Sequence, residues 1–145
     1  DCVEVVDNSV ASQQIDSTIK HTILYIEDNP ANLKLVAQIL GHRKHIHLLT
    51  AHTPEIGIEI ARSRLPELIL LDINMPNMDG YEVMEILNTD NSLKNIPVVA
   101  VTANAMSRDI DRGKAAGFSD YVTKPIDVPK FLDVVDKYLR GEKNI

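Results

Sequence analysis

The sequence predicts an α/β fold: a doubly wound, five-stranded parallel sheet with five helices packed on its two faces. Three observations carry this. Short apolar segments alternate five times with longer segments whose apolar residues recur at helical spacing. Two short segments, residues 68–71 and 98–101, are apolar at every position, the pattern of a strand covered on both faces. Strands joined through helices require right-handed crossovers and therefore run parallel.

The first strand is read over residues 21–26, and it runs directly into Glu27 and Asp28. Asn29 as cap and Pro30 at the first helical position open a helix. Leu33, Val36, Ile39 and Leu40 form its apolar stripe, and Gly41 ends it in the manner of a C-terminal glycine. Residues 47–50 make a short second strand near a sheet edge. Thr53 and Pro54 repeat the cap-and-proline device for a second helix, with Ile56, Ile60 and Ala61 facing inward. Gly57 weakens that helix by about 1 kcal/mol relative to Ala.

The third strand ends at Asp72, and a turn rich in Pro, Asn and Gly follows at once. Asp79 and Gly80 lead into a helix over residues 81–89, with Val83, Ile86 and Leu87 inward. Pro97 introduces the fourth strand, which ends at Thr102. The next helix, residues 107–116, has few large apolar side chains and contains Gly113, so it is expected to be the least firmly docked. Gly117 closes it. Residues 120–123 form the fifth strand, ending at Lys124 and Pro125. A last helix starts near Asp127 and turns Phe131, Val134, Val135 and Tyr138 to the core. Met75, Met78, Met84 and Met106 read as core or turn packing.

A chain of 145 residues, 44% hydrophobic and 25% charged, suits one domain with one core. Residues 21–141 are expected to form it, with residues 142–145 a tail. Residues 1–20 are polar, and read as a linker or as the end of a preceding domain, to which Val3, Val5 and Val6 would belong. The net charge of −6 argues against broad nucleic-acid binding, which needs a basic face. No apolar run approaches the roughly 20 residues that span a bilayer, and no signal-peptide pattern opens the chain. The single cysteine, Cys2, forms no internal disulfide, in keeping with a reducing, cytoplasmic setting. A first residue of Asp rather than Met points to a processed product or to a piece of something longer. His42, Arg43, Lys44, His45 and His47 read as a solvated, weakly basic loop rather than a metal site, since no Cys or carboxylate cluster accompanies them.

The strand ends share a chemistry. Glu27 and Asp28, then Asp72, Thr102 and Lys124 would gather at the carboxyl edge of one sheet, where open α/β folds place their sites. Two carboxylates about 4 Å apart repel by about 4 kcal/mol at an effective dielectric of 20. A hard divalent cation relieves this, and Mg²⁺ takes one or two carboxylates while keeping waters that a phosphoryl oxygen can replace. Phosphoryl transfer asks for positioning and charge neutralisation. Asp72 then serves as the nucleophile, Lys124 holds a phosphoryl oxygen, and the Thr102 hydroxyl donates to another.

Over residues 22–140 the chain resembles the receiver domain of two-component response regulators. The resemblance is carried by Glu27-Asp28, by Asp72 with Met75-Pro76 and Met78-Asp79-Gly80, by Thr102-Ala103 and by Lys124-Pro125. It implies a flavodoxin-like topology with strand order 2-1-3-4-5. It implies that Asp72 is the phosphoacceptor, with Mg²⁺ bound by Asp28, Asp72 and the Asn74 backbone carbonyl, and Glu27 assisting through water. It further implies a cis Lys124–Pro125 peptide and a switch aromatic at Tyr121 that moves inward when Thr102 engages the phosphoryl group. The positions of Asn74 and Asn104 bear on phosphate lifetime in such domains. The implied donor is a histidine kinase or a histidine phosphotransfer domain, and the protein catalyses only its own phosphorylation and dephosphorylation. The output face, also a candidate surface for self-association, would comprise the fourth helix, fifth strand and fifth helix.

Two other classes fit less well. A phosphatase of the haloacid-dehalogenase type expects an acid two residues after the nucleophile, where this chain has Asn74. A flavodoxin-like electron carrier needs a Ser/Thr/Gly phosphate loop after the first strand, where Glu27-Asp28-Asn29-Pro30 stands. No length follows residue 145 for an output domain, so a single-domain regulator or the C-terminal receiver of a hybrid histidine kinase is expected. The non-Met start and linker-like opening favour the hybrid.

Overall fold

A computed structural model describes residues 21–75, 78–103 and 107–139. Strands and helices alternate along it as β1 (His21–Ile26), α1 (Pro30–Leu40), β2 (Ile46–Ala51), α2 (Pro54–Arg64) and β3 (Leu68–Asp72). They continue as α3 (Gly80–Thr89), β4 (Val98–Thr102), α4 (Ser107–Ala116), β5 (Asp120–Thr123) and α5 (Val128–Leu139). The strands form one parallel sheet in the order β2-β1-β3-β4-β5. The chain therefore reverses its direction of travel across the sheet between β1 and β3, and the carboxyl ends of these two central strands flank the crevice that results.

Alternation along the strands divides the core in two. Leu68 and Leu70 pack with Val36, Ile39 and Leu40 of α1 and with Phe131 and Val135 of α5. Ile69 and Leu71 pack with Ile58 and Ala61 of α2 and with Val83, Met84 and Leu87 of α3. All five residues of β3 and all five of β4 are buried, which accounts for their unbroken apolar runs. Among the described residues four helix starts are fixed by side-chain caps, that of α5 by Asp127 Oδ1, which accepts the Lys130 N–H at 3.3 Å. Asn29 Oδ1 accepts the Ala31 N–H at 2.8 Å, and Thr53 Oγ1 accepts the Ile56 N–H at 3.1 Å. Asp79 and Glu82 form a reciprocal capping box on α3.

Several local readings shift. The inward face of α2 is Gly57, Ile58 and Ala61, whereas Ile56 is exposed. The cause is Gly57: a Cβ there would stand 2.5 Å from Cδ1 of buried Ile26, so the missing side chain lets α2 settle on β1. Gly41 caps α1 with right-handed dihedrals, φ −62°. Positive φ at a helix end is found instead at Gly117, φ 107°, after α4, and at Leu65, φ 45°, after α2, where it costs a non-glycine residue about 1 kcal/mol. Met84 is buried where Ile86 is half-buried, and Leu139 joins Phe131 and Val135 in the buried row of α5. Met75 is buried. Strand β2 runs one residue further at each end than read from sequence, and it is an edge strand.

None of the described side chains of α4, at residues 111, 112 and 114–116, is buried. Ala116 at its end packs against the core, and its other described attachments are polar and aromatic. The Asn88 side-chain amide donates to the Ala116 carbonyl at 2.8 Å, and the Arg112 guanidinium lies 3.9 Å from the centre of the Tyr81 ring. The loop before β2 is tied down more than its composition suggests, since Arg43 donates to both carboxylate oxygens of Asp136 on α5 at 2.8 and 3.0 Å. The polar opening segment with Cys2, Val3, Val5 and Val6, the residues Asn104 and Met106, and the tail at 142–145 lie outside the described residues. Among the described residues no helix is long and apolar enough to cross a membrane.

Candidate functional site

The carboxyl edge of the sheet collects the predicted residues through strand pairing. Tyr25 of β1 pairs with Leu70 of β3 and Ile26 with Leu71, so Glu27 and Asp28 emerge beside Asp72. On the other flank Asp72 pairs with Val101 of β4, and Thr102 pairs with Thr123 of β5. The Lys124 N–H donates to the Thr102 carbonyl at 2.8 Å, which fixes where the lysine leaves the backbone. The Lys124–Pro125 peptide is cis.

The side chains converge. Carboxylate oxygens of Glu27, Asp28 and Asp72 all lie within 4.8 Å of one another. Lys124 Nζ bridges two of them, at 3.2 Å from Glu27 Oε1 and 3.3 Å from Asp72 Oδ2. Asp72 Oδ1 accepts the Asn74 N–H at 3.0 Å, so the turn after β3 is folded back onto its own carboxylate. Asp72 and Thr102 are each 2% exposed and Glu27 is 0% exposed, whereas Asp28 and Asn74 are exposed. The cluster is thus a buried floor with an open rim.

Burial raises the pKa of the Glu27 carboxyl, and the hydrogen bond and negative charge of Asp72 push it the same way. A hydrogen bond from Tyr25 and the charge of Lys124 oppose that rise. One ammonium against three carboxylates leaves an acidic excess with oxygen donors only. That donor set fits a hard cation such as Mg²⁺, which accepts one or two carboxylates and retains water in the remaining positions.

Tyr121 stands on β5, half-buried, with its ring 6.4 Å from that of Phe118. Phe118 in turn meets Tyr81 edge-on at 5.9 Å. Burial raises the Tyr121 phenol pKa. Arg112 of α4 lies over the Tyr81 end of this row and the charge of Asp111 on the same helix acts on Tyr121, so Tyr121 neighbours both the sheet and α4. The histidines of the loop before β2 stand apart from the acidic cluster. Among them His45 packs edge-on against His21 at 5.9 Å.

One member of the site was not picked out by motif. Tyr25 is completely buried, and its hydroxyl donates to Glu27 Oε1 at 2.7 Å. The available signal was the two-residue period of a strand, which puts residues 25 and 27 on one face.

The family model described as the response regulator receiver domain matches residues 23–136. The chain belongs to the response regulator receiver family. Among curated proteins, this receiver domain is 37% identical over 118 residues to the polar-differentiation response regulator DivK of Brucella anthropi, covering 81% of this chain and 95% of that protein. Among solved structures, the signal receiver domain of a signal transduction histidine kinase from Syntrophus aciditrophicus aligns with a TM-score of 0.76 at 28% identity. That alignment covers 86% of this chain and 94% of the other. The receiver domain of sensor histidine kinase PA1611 from Pseudomonas aeruginosa, solved with a magnesium ion coordinated in its active-site cleft, aligns with a TM-score of 0.76 at 24% identity. It covers 84% of this chain and 99% of that one. Receiver domains are signalling modules of two-component systems, and this one is a member of that family.

Proposed function

We propose that this receiver domain takes a phosphoryl group from a phosphohistidine onto Asp72. The donor would be a histidine kinase or a histidine phosphotransfer domain. One observation carries the reading: a buried carboxylate at the end of the central strand lies 3.3 Å from an ammonium and within 4.8 Å of two further acids. Asp28, Asp72 and the backbone carbonyl of Asn74 would hold Mg²⁺, with Glu27 acting through water. The magnesium-bound histidine-kinase receiver of the same fold supports that assignment. When bound, the ion neutralises the acidic cluster and the charge on the phosphoryl oxygens.

The protein's own groups do the rest. The Asp72 carboxylate attacks phosphorus as the P–N bond to the donor imidazole breaks. Lys124, already on Asp72 Oδ2, moves its charge to a phosphoryl oxygen. The Thr102 hydroxyl, one residue beyond the Asp72–Val101 pair, donates to another. Tyr121 then packs inward, and the change leaves through α4, β5 and α5. The last two are coupled, since Tyr138 of α5 donates to the Ser119 carbonyl at 2.9 Å just before β5.

This face is also the proposed surface for self-association. In the same reading residues 1–20 are a linker or the end of a preceding domain, residues 21–141 the receiver, and residues 142–145 a tail. The setting is cytoplasmic, and a place within a hybrid histidine kinase accords with the likeness to a histidine-kinase receiver at 28% identity.

Incubation with acetyl phosphate and Mg²⁺ is expected to add the mass of one phosphoryl group to the wild type and none to Asp72→Asn. Equal mass gain in both would refute the assignment. Beryllofluoride, a phosphoryl mimic, is expected to shift amide NMR signals over residues 103–121 as well as around Asp72. Shifts confined to the neighbourhood of Asp72 would refute the relay.

A further inference from the structure

Glu27 is held by three donors from three places. Tyr25 of its own strand donates to Oε1 at 2.7 Å, Lys124 lies 3.2 Å from the same oxygen, and the Asn29 N–H donates to Oε2 at 3.3 Å. These contacts differ in permanence. Lys124 is shared with Asp72, and in the function proposed above it turns to the arriving phosphoryl group. The tyrosine has no such second task. Its ring is completely buried in the core between the sheet, α1 and α5, and its place on β1 fixes where the hydroxyl points. A Glu side chain has three rotatable bonds, and a carboxylate that acts on a metal through water must be fixed to be useful.

We propose that Tyr25 is a positioning residue for the metal site, holding Glu27 in one orientation whether or not Lys124 is engaged elsewhere. The inference rests on the proposed function, since it gives Glu27 a role toward Mg²⁺. It adds a part played from inside the core by a residue that touches neither the ion nor the phosphoryl group.

The test is a double-mutant cycle on Mg²⁺ affinity, read by calorimetry on the unphosphorylated protein, with Tyr25→Phe, Glu27→Ala and the pair. Phe keeps the ring packing and removes only the hydroxyl. Loss of an outer-shell partner typically weakens metal binding 10- to 100-fold, and with Glu27 acting through water the lower end, about tenfold, is expected for Tyr25→Phe. In the Glu27→Ala background the same change is expected to alter Kd by less than about twofold, because coupled residues are not additive. A merely structural tyrosine would lower Tm and leave the affinity of the folded protein untouched. A Kd within twofold of wild type for Tyr25→Phe, or an equal loss in both backgrounds, overturns the proposal. Should Tyr25→Phe not fold, the Tyr25 hydroxyl proton in wild-type NMR decides instead. It is expected to stay protected from exchange after beryllofluoride and Mg²⁺ are added, and its loss there overturns the proposal. A wild type that binds no Mg²⁺ would remove the proposed function itself, and this inference with it.

Discussion

Replacing Asp72 by Asn is expected to stabilise the metal-free protein. The substitution removes repulsion from the Glu27 and Asp28 carboxylates, whose oxygens lie within 4.8 Å. At that distance and an effective dielectric of 20, a pair repels by about 3.5 kcal/mol. The term with Asp28 is smaller because Asp28 is exposed, so the total relief is roughly 5 kcal/mol. The substitution also removes attraction to Lys124 at 3.3 Å, worth about 5 kcal/mol on the same scale. The Coulomb terms therefore nearly cancel, and the sign is decided by desolvation. Asp72 is 2% exposed, and an ion held out of water costs several kcal/mol. An Asn side chain carries no such cost and keeps an acceptor for the Asn74 N–H, although its amide then faces Lys124. The expected net gain is about 1–3 kcal/mol, or roughly 3–9 °C in Tm at about 3 °C per kcal/mol for a domain of this size. Thermal unfolding in EDTA, followed by circular dichroism, measures it. Added Mg²⁺ should narrow the gap by stabilising the wild type more than the variant. An Asp72→Asn protein no more stable than wild type in EDTA would mean that the buried acidic cluster is not under electrostatic stress, and the argument would fail.

Gly57→Ala should destabilise the domain by about 1–3 kcal/mol in urea unfolding despite the better helix propensity of Ala, because its Cβ would meet Ile26 at 2.5 Å. Asp79→Ala removes the acceptor for the Tyr81 and Glu82 N–H groups and should cost about 1 kcal/mol in the same measurement. The Asp90 carboxyl is held down to about 2, first by the Ser92 hydroxyl and then by Arg62. A native pKa below the ordinary Asp value means that its contribution to stability is complete above about pH 4 and is lost as pH falls toward 2. NMR titration of Ser92→Ala should return the Asp90 pKa toward the ordinary range, and an unmoved titration curve would refute the assignment.

The alternation of strands and helices was legible because each layer needs a different apolar period, and the continuous runs of β3 and β4 mark them as central. The strand-end residues were legible for the same reason: once the strands are in register, Glu27, Asp28, Asp72, Thr102 and Lys124 have one edge to share. The misread positions lie where packing between elements overrides local pattern. Ile56 fits an inward stripe on helical spacing, but the close approach permitted by Gly57 rotates the buried face of α2 toward Ile58. Gly41 carries the usual mark of a left-handed helix end, yet positive φ is found at Gly117 and at Leu65, and for Leu65 no residue type gives notice. Tyr25 looked like any apolar strand residue, and only its contact with Glu27 reveals a polar purpose.

The bond from the Lys124 amide to the Thr102 carbonyl has a consequence for how such a protein can diverge. It fastens the backbone that carries the ammonium directly to the backbone that carries the hydroxyl, so the spacing of these two anchor points is not set by the twenty-odd residues of chain between them. That intervening stretch can be lengthened, shortened or re-lettered to suit new listeners while the anchor points of the reacting groups keep their spacing.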